Sequence, residues 1–273
     1  MEKIQLTAFL DICGIGSASG LVYYNNSLFM ISDSSGFLYE YGLDSAQLQQ
    51  HSLIKNSTQN IAKKQKPDFE SITLKDDKLY VFGSGSTKNR NRQFIFDLKT
   101  QEATEHDLTD LYQKVKASAA ISDDNLNIEG ALFYKDCLYL FQRGNGANSQ
   151  NGIAIIDKNE NGSVRFVPLQ LPKIKHVEAT FTDAVLMHDK IYFLAAAEDT
   201  VSTYEDGEVM GCLIGCIDTA TFQTDFTYQI TDSHKFEGLT VYKQSEEKII
   251  FLLCEDNDTE ALESKIYTLE ISK

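Results

Sequence analysis

Positive charge is in short supply in this sequence. Against 40 Asp and Glu stand 25 Lys and Arg, a formal net charge of −15, and only four of the basic residues are arginines. Binding built on nucleic-acid phosphates needs clustered Lys and Arg, so that class is excluded. A small anionic molecule held by a local basic cluster is not. Apolar residues never gather into the roughly 20-residue run of a membrane span, so no membrane partner is expected. The opening "MEKIQLTAFLDI" lacks the apolar stretch of a signal peptide, which points to a cytoplasmic location. The 5 cysteines are odd in number and form no compact framework, as suits a reducing compartment. Cys212 and Cys216, four apart in "GCLIGC", have no His or Cys partners at metal-binding spacing and are expected as buried thiols on one strand face. With 3 prolines and no low-complexity segment, nothing divides the 273 residues, and a single monomeric domain is expected.

What is present is a repeat. The phrases "DFESITLKDDKLYVF", "NIEGALFYKDCLYLFQR" and "FEGLTVYKQSEEKIIFL" share a glutamate that opens an apolar hairpin. Leu79-Tyr80 follows Glu70 by nine positions, and Leu138-Tyr139 follows Glu129 by nine. The same interval finds Ser19 in "SGLVYYNNSLFMISD" and Thr182 in "TDAVLMHDKIYFLAA". The anchors Ser19, Glu70, Glu129, Thr182 and Glu237 are thus spaced by 51, 59, 53 and 55 residues. Each unit holds four strand-like runs separated by turn signals, as in "GALFYK", "CLYLFQR", "GIAIIDK" and "VRFVPLQL". Four strands at this period predict an all-β fold, a five-bladed β-propeller. The fifth unit is one strand short, and the N-terminus has one to spare in "KIQLTAFLDI". That strand is expected to close the ring as the outer strand of the last blade, removing two open edges. A helix is predicted where Leu108, Leu111, Tyr112 and Val115 follow Asp107, bridging blades two and three.

Equivalent first-strand anchors converge on a propeller's axis. Two carboxylates ~5 Å apart repel by about 3 kcal/mol at an effective dielectric near 20, so three of them need neutralising. Calcium accepts carboxylate, hydroxyl and carbonyl oxygens alike, which makes Ser19, Glu70, Glu129, Thr182 and Glu237 the predicted metal ligands. The loops returning to the same face are "SDSSG", "GSGSTKNRNR", "QRGNGANSQNG", "AEDTVSTYEDGE" and "CEDNDTE". They carry Lys88, Arg90, Arg92, Arg143 and Asn145, a set suited to an anionic ligand. Lys63, Lys64 and Lys66 precede Glu70 and are expected on that face too. His176 and His234 read as solvated loop residues. No Gly-x-Ser-x-Gly elbow, His-Glu-x-x-His helix or P-loop is present.

The hairpins "SGLVYYNNSLFMISDSSGFLYEY", "FESITLKDDKLYVFGSG", "IEGALFYKDCLYLFQR" and "TDAVLMHDKIYFLAA", with "KFEGL", resemble the calcium-activated nucleotidase (apyrase) family of five-bladed propellers. The resemblance implies a central calcium held by Ser19, Glu70, Glu129, Thr182 and Glu237, with Thr182 in place of a serine. It departs on the nucleotide side. The family's Asp-Asp-Arg-Thr-Gly-type loop is "SDSSG" here, keeping Asp33 but putting Ser34 at the arginine position, and its tryptophan loop has no counterpart in a chain without Trp. Three functions follow as expectations. One is a calcium-dependent hydrolase of a phosphate or other anionic ester, with Asp33 activating water. The second is a binding module with a structural cation. The third is a lactonase-type hydrolase, to which Asn127 and Asp68, two positions before their anchors, would belong.

Overall fold

The computed structural model describes residues 3–146, 150–160, 162–200, 202, 207–256 and 261–273. The five predicted blades are there, each a four-stranded antiparallel sheet. Blade one comprises Ala18–Tyr24, Ser27–Ser32, Phe37–Gly42 and Gln47–Ser52, and blade two Phe69–Lys75, Lys78–Gly83, Arg92–Asp97 and Glu102–Asp107. Blade three comprises Ile128–Tyr134, Cys137–Gln142, Gly152–Asp157 and Ser163–Pro168. Blade four has Thr180–Met187, Lys190–Asp199, Glu208–Asp218 and Thr224–Thr231, preceded by a small hairpin of Lys173–Ile174 and Val177–Glu178. Blade five has Phe236–Gln244, Lys248–Glu255 and Glu263–Ser272, and its fourth strand is the N-terminal Ile4–Cys13. The closure predicted from the strand count therefore holds, with Ile4 opposite Ile271 and Cys13 opposite Glu263. Each innermost strand packs on the next, and that of blade five returns to that of blade one.

Burial grades outward, and the sequence follows it. Innermost strands are buried on both faces at their mouth ends, so runs such as Ile128–Leu132 need not alternate. Outermost strands such as Gln47–Ser52 and Glu102–Asp107 face water and are mostly polar. Turns set the register: Asn25-Asn26 and Asp76-Asp77 occupy left-handed positions in two-residue hairpins, where short polar side chains tolerate positive φ. Five apolar clusters fill the spaces between blades. Cys212 and Cys216 lie in one of them, as buried free thiols that burial pushes up to about 12.

The predicted helix spans Thr109–Ala119 and begins where Asp107 Oδ1 accepts the Thr109 amide at 2.7 Å. It lies on the outermost strand of blade three, while its Tyr112 hydroxyl donates to the Gly83 carbonyl of blade two at 2.6 Å. That locks the two blades together, as the 3, 4, 7 spacing implied.

Candidate axial site

All five anchors occupy the same irregularity. Between Ala18 and Gly20, Phe69 and Ser71, Ile128 and Gly130, Phe181 and Asp183, and Phe236 and Gly238, the innermost strand advances two residues while its partner advances one. Ser19, Glu70, Glu129, Thr182 and Glu237 are the extra residues of five β-bulges. A bulge re-aims its side chain out of the alternating pattern, and here it does so at the same level of every blade. The glycine after the bulge has a separate cause. A Cβ on Gly238 would stand 2.9 Å from the Leu21 backbone nitrogen, and one on Gly130 3.2 Å from that of Ala184. Neighbouring innermost strands touch there, so "Glu-Gly" encodes both a re-aimed carboxylate and a close approach.

The two hydroxyl anchors tie blades together. Ser19 Oγ donates to the carbonyl of Phe69, and Thr182 Oγ1 to that of Phe236 at 2.7 Å. Each thus fixes the residue before the glutamate of the next blade. Asp183, which sequence reasoning passed over, acts alongside: its carboxylate accepts the Ala184 and Leu239 amides, both at 2.7 Å.

The three glutamate anchors are buried, Glu129 and Glu237 at 3% and 4% exposure and Glu70 at 9%. Burial pushes all three up from their ordinary value. At Glu129 and Glu237 nearby cations oppose it, whereas Asp68, Glu129, Asp33 and Glu237 push Glu70 further in the same direction. They feel one another across the axis without forming the single tight shell expected of them. Glu129 accepts the Asn127 amide at 2.7 Å and faces Arg143 at 3.3 Å. Arg143 also reaches Glu198 at 2.6 Å, Glu237 at 4.0 Å and the Thr180 hydroxyl at 3.2 Å. Lys235, likewise buried, lies 2.9 Å from Glu237, 3.4 Å from Asp256 and 3.7 Å from Glu198. Burial disfavours the Glu198 anion, but Arg143 and Lys235 outweigh it and hold that carboxyl below its ordinary value.

Glu70 belongs to a different group. Asp33, Asp68 and Glu70 each present a carboxylate oxygen within 4.8 Å of the other two, and among the described residues this is the acidic trio so arranged. Lys66 pairs with Asp33 and lies 3.0 Å from Asp68. Arg90 meets Asp68 at 2.7 Å. Among the described residues, no ion pair or hydrogen bond reaches the Glu70 carboxylate.

The basic loop residues divide. Arg90 and Arg143 are at the mouth but locked in those ion pairs, with side chains 4% and 6% exposed. Arg92 does not join them: it turns outward to Glu105 of the outermost strand at 2.7 Å and covers the Phe94 ring. Its place in the third strand of the blade gives the physical reason, since alternation there directs it away from the axis. Lys88 is exposed, and of the preceding lysines Lys66 turns into the carboxylates. Asn145 bridges Asn127 and the Ser202 carbonyl. His176 is exposed and 3.3 Å from Asp199, as expected of a solvated loop residue. His234 is more engaged than that expectation: it meets Glu255 at 2.5 Å, and Tyr267 donates to the same carboxylate at 2.9 Å. Lys235 was the other missed member of the mouth. Lys235 is the residue two before the Glu237 anchor, the position Asp68 and Asn127 hold in their own blades.

Beside the mouth, between blades three and four, opens a pocket of about 500 Å³ whose walls include Thr180 and Glu198.

A family model matches residues 14–271. The chain belongs to DUF6929, a family of unknown function. For DUF6929 the nucleotidase likeness therefore bears on the propeller scaffold, not on membership. No curated protein matches the sequence. Solved structures do. Glutaminyl cyclase of Myxococcus xanthus is 12% identical, with 98% of this chain and 97% of that one aligned at a TM-score of 0.56. The PQQ-bound aldose sugar dehydrogenase of Streptomyces coelicolor is 10% identical over 98% of both chains, with a TM-score of 0.54. A luciferin-regenerating enzyme is 9% identical over 97% and 95%, with a TM-score of 0.52. At such identities the likeness is one of fold.

Proposed function

We propose that this DUF6929 chain is a propeller hydrolase whose axial mouth holds a calcium ion on Asp33, Asp68 and Glu70. One observation carries the cation: Glu70, a residue 9% exposed whose carboxylate makes no ion pair or hydrogen bond among the described residues, has two more carboxylates within 4.8 Å. A buried anion without a partner is costly, and hard oxygen donors in this number suit calcium. Glu129 and Glu237, expected as ligands, already face Arg143 and Lys235, so in this reading they form the surrounding charge. Ser19 and Thr182 have their protons on carbonyls and retain only lone pairs to offer. Seven carboxylates (Asp33, Asp68, Glu70, Glu129, Glu198, Glu237, Asp256) stand against Lys66, Arg90, Arg143 and Lys235, and the excess of negative charge favours a divalent cation.

The substrate reading rests on a second observation. Arg90 and Arg143 are committed to internal carboxylates, which leaves no guanidinium for a polyphosphate. Asn127 lies 2.7 Å from Glu129, and Asp68 stands within the trio, so amide and carboxylate oxygens line the mouth together. This supports a carboxylic ester or lactone over a nucleotide. Calcium in such a site supplies Lewis-acid polarisation of a carbonyl oxygen. In this reading Asp33, whose side chain is 23% exposed, would accept a proton from water through the carboxylate oxygen that the ion does not take.

Calorimetric titration with calcium tests the first reading: binding in the wild type, lost in Glu70→Gln, is expected. Heat-silent titration with an unchanged melting curve would refute it. For the second, hydrolysis of p-nitrophenyl acetate and of a simple lactone is compared with that of ADP, with calcium and with chelator. Calcium-dependent turnover of ADP alone would return the site to the nucleotidase reading.

A further inference from the structure

We propose that the pocket between blades three and four binds a neutral, polyhydroxylated small molecule of mono- to disaccharide size. Its volume, about 500 Å³, falls in the ~300–1,000 Å³ range of small-ligand sites. Among the described residues its ionisable lining is Glu178 and Glu198, and none of them contributes a lysine or arginine to the wall. Arg143 lies behind that wall with its guanidinium on Glu198 and Thr180. An anion entering here would lose hydration and find no cation on the described walls that is not already held by a carboxylate. A cation gains little either: Glu198 already accepts from Arg143 through one oxygen and from the Gly207 amide, at 2.6 Å, through the other.

What remains is suited to hydroxyl groups. Gln170 presents a side-chain amide able to donate and accept, Asn145 and Gln150 add amide oxygens with lone pairs to spare while their nitrogens donate to the Ser202 and Ala119 carbonyls, and Glu178 adds an acceptor at the exposed rim. Leu169 and Val177 add an apolar patch against which the C–H face of a sugar ring can lie. One wall is fixed in advance. Asn151 Oδ1 accepts the Gly144 and Phe181 amides at 3.1 and 3.2 Å, and its Nδ2 donates to the Ala179 carbonyl at 3.0 Å. That side chain ties the entry loop of blade four to the mouth loop of blade three. The pocket shares no described lining residue with the axial trio and does not depend on a cation there.

Ligand-observed saturation-transfer NMR tests this, with glucose, mannose, sucrose and cellobiose as neutral probes and glucose 6-phosphate as the anionic one. Each is measured with calcium and with chelator. The expected result is transfer to at least one neutral saccharide under both conditions, with glucose 6-phosphate at least about tenfold weaker than glucose, a difference of about 1.4 kcal/mol. Val177→Trp, which fills the pocket, should abolish the transfer. Glu178→Lys, at an exposed position and safe for folding, should narrow or reverse the discrimination against the phosphate. No transfer to any neutral probe at millimolar concentration overturns the proposal. So does equal binding of glucose 6-phosphate to the wild type, or unchanged discrimination in Glu178→Lys. Transfer that needs calcium would place the sugar at the axis and overturn the pocket while leaving the cation reading standing.

Discussion

Blades three to five close their share of the mouth with two cations as buried as the carboxylates they face, whereas blades one and two, with Arg90 as deeply buried on Asp68, still leave the Glu70 carboxylate unmatched among the described residues. Arg143 directly follows the strand Cys137–Gln142, and Lys235 directly precedes Phe236–Gln244. Both are rigid ends of paired strands, with side chains 6% exposed. Lys66 comes instead from the long connection between blades one and two, and its side chain is 14% exposed. It covers Asp33 and Asp68 and does not pair with Glu70. Charge fixed on strand ends is structural by position. Charge brought in by a loop side chain can be exchanged for another cation at little cost to the scaffold. The difference identifies which half of the ring is available for chemistry.

The largest test of that comparison is to remove one cation from each half. Arg143→Met strands Glu129 and Glu198 in the interior, and breaking a buried pair from one side costs about 3–5 kcal/mol. Lys66→Met should cost about 1–2 kcal/mol at most, because Asp33 can rehydrate at 23% exposure. Chemical denaturation of both variants without calcium measures the pair. Equal losses would mean the two halves are held alike.

Next in size is the calcium response. At 100 times its dissociation constant the ion should add ~2.7 kcal/mol to the wild type. Glu70→Gln should abolish that gain in a thermal melt, and Glu237→Gln should keep most of it. Lys66→Met should enlarge it, since the tethered ammonium no longer competes for Asp33 and Asp68. If Glu237→Gln and Glu70→Gln are equally damaging, the five anchors act as one shell after all.

Protons give a smaller signal with a definite sign. Burial, then Asp68 and the neighbouring acids, hold the Glu70 carboxyl well above its ordinary 4.5. The folded state then binds a proton that the unfolded state has released, so stability falls as pH rises between the two values. For one group the slope is at most about 1.4 kcal/mol per pH unit. Glu129 and Glu237, pushed up as well, add to the same slope, so calcium-free protein should become more stable from pH 8 down towards pH 5, and Glu70→Gln should lessen that slope by up to about 1.4 kcal/mol per pH unit. Glu198, shifted the other way, loses its contribution only below its ordinary value and does not enter this window. A wild-type slope that Glu70→Gln leaves unchanged would assign the protons elsewhere.

How much of this the sequence disclosed depends on whether the determinant repeats. The blades, the N-terminal closure and the five anchors were legible because each unit carries the same hairpin at the same interval. The bulges were not, since one extra residue leaves the apolar pattern intact on either side. Nor was the split between the two halves. Lys66 and Asp68 are near neighbours in the chain, but Asp33 belongs to the loop of the preceding blade and joins them where the backbone amide of Asp68 donates to the carbonyl of Asp33 at 3.0 Å. Lys235 looked like one more loop lysine until its position two before the anchor was set beside Asp68 and Asn127. Arg143 was placed on the right face, and a carboxylate across the mouth was one partner open to it, but only the fold shows that Glu198, fifty-five residues on, takes that place.

The smallest expected effect checks the boundary of the site. Arg92 sits beside Arg90 in "KNRNR", and by spacing alone the two looked equivalent. In the fold Arg90 points inward to Asp68, while Arg92 meets Glu105 across the strand pair, with side chains 28% and 52% exposed. An exposed pair of this kind is worth about 0.2–1 kcal/mol, and the packing of its guanidinium on Phe94, 5.1 Å from the ring centre, adds a similar amount. Arg92→Gln should therefore lower stability by about 1 kcal/mol or less and leave the calcium response of the melting curve where it was. Arg90→Gln, two residues away, removes a cation from the acidic trio and should change that response. A calcium response altered by Arg92→Gln as much as by Arg90→Gln would move Arg92 to the mouth and extend the site to the outer strands of blade two.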